Sequence, residues 1–179
     1  MPRNIEVKAR ITSVEALLAR ARAVAGTEPE GIEQDDTFFR VPRGRLKLRQ
    51  FADGSAELIH YQRADTLDAK ASDYVRVPVP DPAALREALA RACGLLGRVR
   101  KTRWLLLKGA TRIHIDRVQG LGDFMELEVV LGDRQSDEDG AAIAEALMHE
   151  LGLAHAERIA GAYLDLLQPA SSAGSTSAR

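Results

Sequence analysis

Cysteine is nearly absent from this chain. Cys93 is the only one in 179 residues, so no disulfide can form within the chain and no cysteine-based zinc site can be built. Its simplest role is a small core residue on a helix. Net charge is nearly absent as well: 25 Lys and Arg face 26 Asp and Glu, a formal balance of -1. That argues against a general nucleic-acid binder, which would be basic overall. No stretch approaches the roughly 18 to 20 apolar residues of a membrane span. No signal peptide precedes the first strand-like segment, so a cytoplasmic protein without a membrane partner is expected. No P-loop and no dinucleotide-binding glycine motif occurs; a lone Gly-x-Gly, as in "QGLGDF", is no evidence of nucleotide binding.

What is abundant is strict alternation. In "NIEVKAR" (4–10), Asn4, Glu6, Lys8 and Arg10 alternate with Ile5, Val7 and Ala9, the period-2 pattern of a strand with one apolar and one polar face. Similar segments recur at 36–41, 45–51 ("RLKLRQF"), 56–63 ("AELIHYQR"), 73–79, 97–107, 111–118 ("TRIHIDRV") and 124–131 ("FMELEVVL"). The 45–51 and 56–63 runs, joined through Asp53-Gly54, read as a hairpin. Pro78 marks a strand edge or end. Three helices interrupt the strands. One is capped by Ser13 and stopped by Gly26, one is capped by Asp81 with Pro82 at its first position, and one starts at Ser136 and ends at Gly152. In the third, Ile143, Leu147 and Leu151 are expected to face inward. Asp137, Glu138 and Asp139 in its first turn suit the helix dipole. A short terminal helix holds Tyr163, Leu164, Leu166 and Leu167. The expected organisation is one domain over 1–168, with a small, polar, disordered tail at 169–179.

The tally gives an α+β fold with eight antiparallel strands, enough to close a barrel that can hold one small ligand. The charged residues share faces strand by strand: Glu6 with Lys8, Lys47 with Arg49, Lys101 with Arg103, Arg112 with His114 and Asp116, Glu126 with Glu128. Alternation alone leaves two destinations open for these faces, solvent or a ligand. If the apolar faces lie under helices, the charged faces point into the barrel, where charges need partners. An anion accompanied by a divalent metal ion would satisfy both signs, with basic groups on phosphate oxygens and carboxylates on Mg²⁺ or Mn²⁺.

The segments "IEVK", "LKLR", "KTR", "HIDRVQGLGDFMELEV" and "AYLDLL", in that order, resemble the CYTH superfamily of triphosphate tunnel metalloenzymes. The branch most similar in motif is the class IV adenylyl cyclases. The likeness spans residues 4 to 167, and its most specific part is Asp116 through Glu128. The resemblance implies an eight-stranded antiparallel tunnel with helices packed outside. It implies that Lys8, Lys47, Arg49, Arg63, Lys101 and Arg103 bind a triphosphate, that Glu6, Glu126 and Glu128 bind Mg²⁺ or Mn²⁺, and that Lys8 and Asp116 serve catalysis. The implied partner is a triphosphate-containing small molecule: ATP, tripolyphosphate or thiamine triphosphate. Three activities follow from such a lining: cyclisation of ATP to cyclic AMP and pyrophosphate, triphosphate hydrolysis, or binding without turnover as a sensor. One departure favours the last: Asn4 stands where the family motif has its first glutamate. His114 is expected as a hydrogen-bonded lining residue and Tyr163 as packing. A homodimer through an exposed barrel strand or the 81–93 helix is compatible with the pattern.

Overall fold

The computed structural model describes residues 3–63 and 70–167; the expected tail at 169–179 lies outside them. Eight strands form the frame: β1 (Arg3–Arg10), β2 (Glu30–Phe39), β3 (Arg45–Phe51), β4 (Ala56–Arg63), β5 (Lys70–Pro78), β6 (Leu95–Lys108), β7 (Thr111–Val118) and β8 (Gly122–Val130). They close in the order β1-β5-β4-β3-β2-β6-β7-β8. β1 completes the ring by pairing antiparallel with both β5 and β8, where Asn4 lies opposite Ser72 and Val130. The pattern-based limits of β3, β4 and β7 coincide with the observed ones. β2 starts six residues earlier than its expected start at 36, because the polar run from Glu30 to Asp35 continues the ladder with β6. Pro78 is the last residue of β5, where a missing N–H breaks no ladder.

Among the described residues four helices decorate the barrel: α1 (Val14–Ala25), α2 (Pro82–Cys93), α3 (Asp137–Glu150) and α4 (Tyr163–Leu167). Their starts follow local chemistry. Ser13 accepts from the Ala16 N–H at 3.1 Å and Asp81 from the Ala84 N–H at 3.0 Å. Ser136 and Asp139 form a reciprocal capping box, satisfying N–H groups that a helix start leaves bare.

The main hydrophobic core lies outside the barrel. Ile5, Val7, Ala9, Leu106, Ile113, Ile115, Met125, Leu127 and Val129 point outward and pack against Val14, Leu17 and Ala21 of α1 and Ala144, Leu147 and Met148 of α3. Gly140 lets α3 settle on the sheet: a Cβ there would lie 2.6 Å from side-chain atoms of Ile5 and Leu131. Leu147 and Leu151 face inward as expected, whereas Ile143 is an exposed apolar residue and Ala144 takes the buried position beside it. The apolar stripe supports helix packing on this side, which leaves the alternate, charged residues for the interior. A second cluster, around Phe38, Val99, Phe124, Ile159, Tyr163 and Leu164, lies beneath α4. Over β2 and β3, Leu85, Leu89 and Cys93 of α2 pack on Phe39, Leu48 and Ala56. Cys93 thus has the packing role expected of it. None of the described helices is long and apolar enough to cross a membrane.

Candidate functional site

The barrel encloses a cavity of about 330 Å³, within the range of small-molecule sites. Lys8, Lys47, Arg49, Arg76, Lys101, Arg103 and Arg112 line it, against the carboxylates Glu6, Asp36, Glu126 and Glu128. The lining therefore carries more basic than acidic groups. Of the residues singled out in sequence, Glu6, Lys8, Lys47, Arg49, Lys101, Arg103, Glu126 and Glu128 all reach this cavity. The Arg63 side chain lies outside the described residues. Asp116, expected to serve catalysis, is 0% exposed and lies against side chains that line the cavity, Arg103 and Lys101 among them.

Asp116 lies opposite Arg103 in the β6–β7 ladder. Arg103 grips it with two prongs, Nε to Oδ1 at 2.7 Å and a terminal nitrogen to Oδ2 at 2.6 Å, and reaches Glu126 at 3.1 Å. Lys101 Nζ stands 3.8 Å from Oδ2, and the Tyr163 hydroxyl donates to the same oxygen at 2.9 Å. Burial alone would raise the Asp116 pKa, yet the Arg103 and Lys101 charges bring it down to about 2. Burial and its neighbour Arg103 hold Lys101 well below the usual lysine range.

A second aspartate, Asp36 of β2, escaped the sequence reading. Arg49 binds it through two bonds of 2.7 Å and Lys47 through one of 2.9 Å. Arg49 and Lys47 outweigh the burial that would raise its pKa, so it stays well below the carboxylate range. Burial and Arg49 bring the Lys47 ammonium down to about 8. The available signal was parity: Asp36 shares its strand face with Gln34 and Phe38, while Asp35, one residue earlier, turns outward to Arg98 and Arg100.

The opposite wall is acidic. Glu6 and Glu128 are register partners across β1 and β8, as are Lys8 and Glu126. Glu128 accepts from Arg112 at 2.9 Å and from the Asn4 amide. Lys8 Nζ donates to the Gly161 carbonyl at 3.2 Å, approaches Glu126 at 4.0 Å and lies 4.3 Å from the Tyr163 ring centre. Tyr163 is thus more than the packing residue expected. It bridges Asp116 and two lysines, and burial together with Asp116 pushes its hydroxyl pKa well above 10. His114 is buried in the lining, and burial together with Arg103 holds its pKa well below 6.5.

Among the described residues no three His, Cys, Asp or Glu side chains gather as a metal-ligand cluster, because Glu126 turns to Arg103 and Glu128 to Arg112. The donor chemistry nevertheless suits a hard divalent cation: Glu6, Glu126 and Glu128, from two adjacent strands, line the same cavity as Asn4, whose buried Oδ1 has no hydrogen-bond partner. Oxygen-only donors are the set that Mg²⁺ and Mn²⁺ prefer.

The CYTH domain model matches residues 2–163. The chain belongs to the CYTH domain family. This is a family of metal-dependent triphosphate tunnel proteins, and its members are typically enzymes. No curated protein matches the chain. Among solved structures, the PH1012 protein of Pyrococcus horikoshii OT3 is similar at 24% identity and a TM-score of 0.81, covering 92% of this chain and 99% of its own. A candidate adenylate cyclase of Vibrio parahaemolyticus is similar at 20% identity and a TM-score of 0.73, covering 92% and 97%. HpAC1 of Hippeastrum, a candidate adenylyl cyclase with a dominant triphosphatase activity, is similar at 16% identity and a TM-score of 0.62, covering 86% and 89%. These likenesses establish the shared CYTH fold.

Proposed function

We propose that this protein is a metal-dependent enzyme acting on triphosphates inside its barrel, with the class IV adenylyl cyclase reaction, ATP to cyclic AMP and pyrophosphate, as the leading assignment. The observation that carries the reading is the convergence, among the described residues, of seven basic and four acidic side chains on one cavity in a closed barrel. Buried charges of both signs suit a polyanion with its counter-cation better than any neutral ligand. In this reading Lys47, Arg49, Lys101 and Arg103, with Lys8 and Arg63, hold the phosphate oxygens through charge-assisted hydrogen bonds. Glu6, Glu126 and Glu128 hold Mg²⁺ or Mn²⁺. Such an ion, when bound, supplies Lewis-acid charge at the phosphate oxygens and lowers the pKa of a coordinated nucleophile. Lys8, beside Glu126 and the Tyr163 ring, neutralises charge on the leaving pyrophosphate. Asp116 holds Arg103 and Lys101 in place. The "GLGDF" connection between β7 and β8, with Gly120 at φ +80° and Gly122 at φ +102°, carries the cyclase-like motif.

Triphosphate hydrolysis is the second reading, favoured by the dominant triphosphatase activity of the structurally similar Hippeastrum protein. The test is incubation with ATP, thiamine triphosphate and tripolyphosphate, each with Mg²⁺ or Mn²⁺, with product analysis. Cyclic AMP and pyrophosphate are expected from ATP. Inorganic phosphate with a diphosphate would establish the hydrolase reading. Tight binding without products would leave a sensor.

A further inference from the structure

The basic wall is built twice. On the first occasion a Lys-x-Arg strand, β3, presents Lys47 and Arg49 to Asp36 of the adjacent β2. On the second a Lys-x-Arg strand, β6, presents Lys101 and Arg103 to Asp116 of the adjacent β7. In each case the aspartate is the register partner of the arginine, Asp36 of Arg49 and Asp116 of Arg103. In each the arginine Nε donates to Oδ1 at 2.7 Å, and a terminal nitrogen donates to Oδ2 at 2.7 or 2.6 Å. In each the lysine two residues earlier approaches Oδ2, at 2.9 or 3.8 Å. Even the aromatic contacts repeat: Lys47 lies 5.6 Å from the Tyr61 ring centre and Lys101 lies 5.1 Å from that of Tyr163. The four strands are consecutive in the ring as β3-β2-β6-β7. Every neighbour is antiparallel, so β3 runs parallel to β6 and β2 to β7. A step of two strands around the barrel axis therefore carries one unit onto the other.

We propose that these are two equivalent phosphoryl clamps and that Asp36 is a positioning residue, the counterpart of Asp116, which aims Arg49 and Lys47 at one phosphoryl group of a polyphosphate chain while the other clamp holds a second. This rests on the triphosphate reading above and assigns Asp36 a role in it. The geometry supports positioning over simple charge cancellation. A carboxylate gripped through Nε and one terminal nitrogen fixes the plane of the guanidinium and leaves its remaining N–H groups for another acceptor. Asp36 has a side-chain exposure of only 3%, so water does not compete for this grip. Paired clamps in adjacent positions also imply selectivity for linked phosphates over a single orthophosphate, through effective concentration.

The test uses the full-length parent, Asp36→Asn and Asp36→Glu, titrated calorimetrically with metal-free tripolyphosphate and with orthophosphate from pH 6 to 10. The parent is expected to bind tripolyphosphate at least a hundred-fold more tightly than orthophosphate. Asp36→Asn is expected to lose ten-fold or more in tripolyphosphate affinity, and Asp36→Glu to recover most of it. A readout specific to positioning is the alkaline limb of binding, to which Lys47 and Lys101 both contribute and which the Asp36 charge holds up for each of them, Lys47 being its direct partner. The Lys47 ammonium faces Asp36 from β2, Arg49 along β3, the Tyr61 ring from β4 and Arg103 from β6. Losing the Asp36 charge moves the limb to lower pH than in the parent. Parent-like or tighter binding by Asp36→Asn overturns the proposal, since Asp36 would then only occupy the place of a phosphate. An affinity loss with an unmoved limb overturns it too. If Asp36→Asn does not fold, Arg49→Lys keeps the charge but loses the two-pronged grip: a ten-fold loss supports the clamp, and parent affinity overturns it. A parent that binds neither anion overturns the triphosphate reading itself, which separates that failure from failure of the clamp alone.

Discussion

The two walls of the cavity bury charge in different ways. On the basic wall each aspartate lies beneath a Lys-Arg pair and is held by two short, parallel hydrogen bonds. Asp36 and Asp116 have side-chain exposures of 3% and 0%, so water plays little part in their pairing. On the acidic wall Glu126 and Glu128 keep exposures of 14% and 16%: Glu126 lies 3.1 Å from Arg103 and 4.0 Å from Lys8, and Glu128 2.9 Å from the partly exposed Arg112, with no two-pronged grip among these contacts. The basic wall is thus held by buried two-pronged pairs, whereas the acidic wall, proposed above for the metal ion, is the more exposed of the two. Electrostatic pre-organisation is most effective where charge must be stabilised, and here it is concentrated on the side proposed for the phosphates.

The comparison breaks most visibly on the acidic side. Glu126→Gln or Glu128→Gln should reduce metal-dependent turnover of triphosphate by at least a hundred-fold, because amides are poor ligands for a hard cation, while metal-free tripolyphosphate binding survives. Product analysis together with calorimetry reads both, and parent-rate turnover would remove the carboxylates from the metal site. Next comes the basic side. Asp116→Asn leaves Arg103 and Lys101 facing each other without their counter-charge, a loss of about 3 to 5 kcal/mol for a broken buried pair. At about 2 to 4 °C per kcal/mol for a domain of this size, the melting temperature should fall by roughly 10 °C, and calorimetric scanning measures it.

A third prediction uses pH. With a folded pKa near 2 against about 3.9 unfolded, Asp116 binds fewer protons in the native state. Its stabilisation is present above pH 4 and is lost as pH falls through 2. Lys47 works the other way. Its folded pKa of about 8 lies below the unfolded value, so its desolvation penalty weighs on the fold below pH 8 and is relieved as pH rises towards 10.5. Polyphosphate affinity should fall over that same interval as the ammonium loses its proton. Denaturant midpoints and anion titrations across pH 2 to 10 check both signs. The smallest effect is expected on the outside. Ile143→Ser should change stability by no more than about 0.5 kcal/mol, whereas Met148→Ala, at a 0% exposed position of the same helix, should lose about 2 to 5 kcal/mol.

These contrasts also mark what the sequence made legible. All eight strands, the exact limits of three of them and three helix starts were readable because their signals are local: a clean period of two, a turn through Asp53-Gly54, a capping side chain at Ser13, Asp81 or Ser136. The inward direction of the charged faces followed once the apolar faces had helices to lie under. Ile143 was misplaced because helical spacing alone does not say which neighbouring apolar stripe meets the sheet; Ala144 does, where α3 approaches most closely. The early part of β2 was hidden because a strand whose outward residues are also polar shows no alternation. Asp36 and Tyr163 were underrated for a related reason. Their roles depend on partners 13 and 47 residues away, and a single Asp inside "EQDD" or a Tyr opening an apolar helix carries no local mark of such a partner.

The closure of the ring sets an order on the birth of the molecule. β1 meets residues 70–73 of β5 and residues 124–130 of β8, so both of its neighbours are made long after it. At about 5 to 20 residues per second, the opening strand waits several seconds beside the ribosome for the first and longer for the second. During that wait Ile5, Val7 and Ala9 lack both sheet neighbours and the α3 residues that later cover them. β3 and β4 can pair almost as soon as they emerge. The half of the barrel carrying the first Lys-x-Arg unit is therefore available to assemble early, and the strand bearing Glu6 and Lys8 completes the vessel last. A nascent chain arrested before residue 130 should be an open, protease-sensitive sheet, whatever the stability of the finished protein.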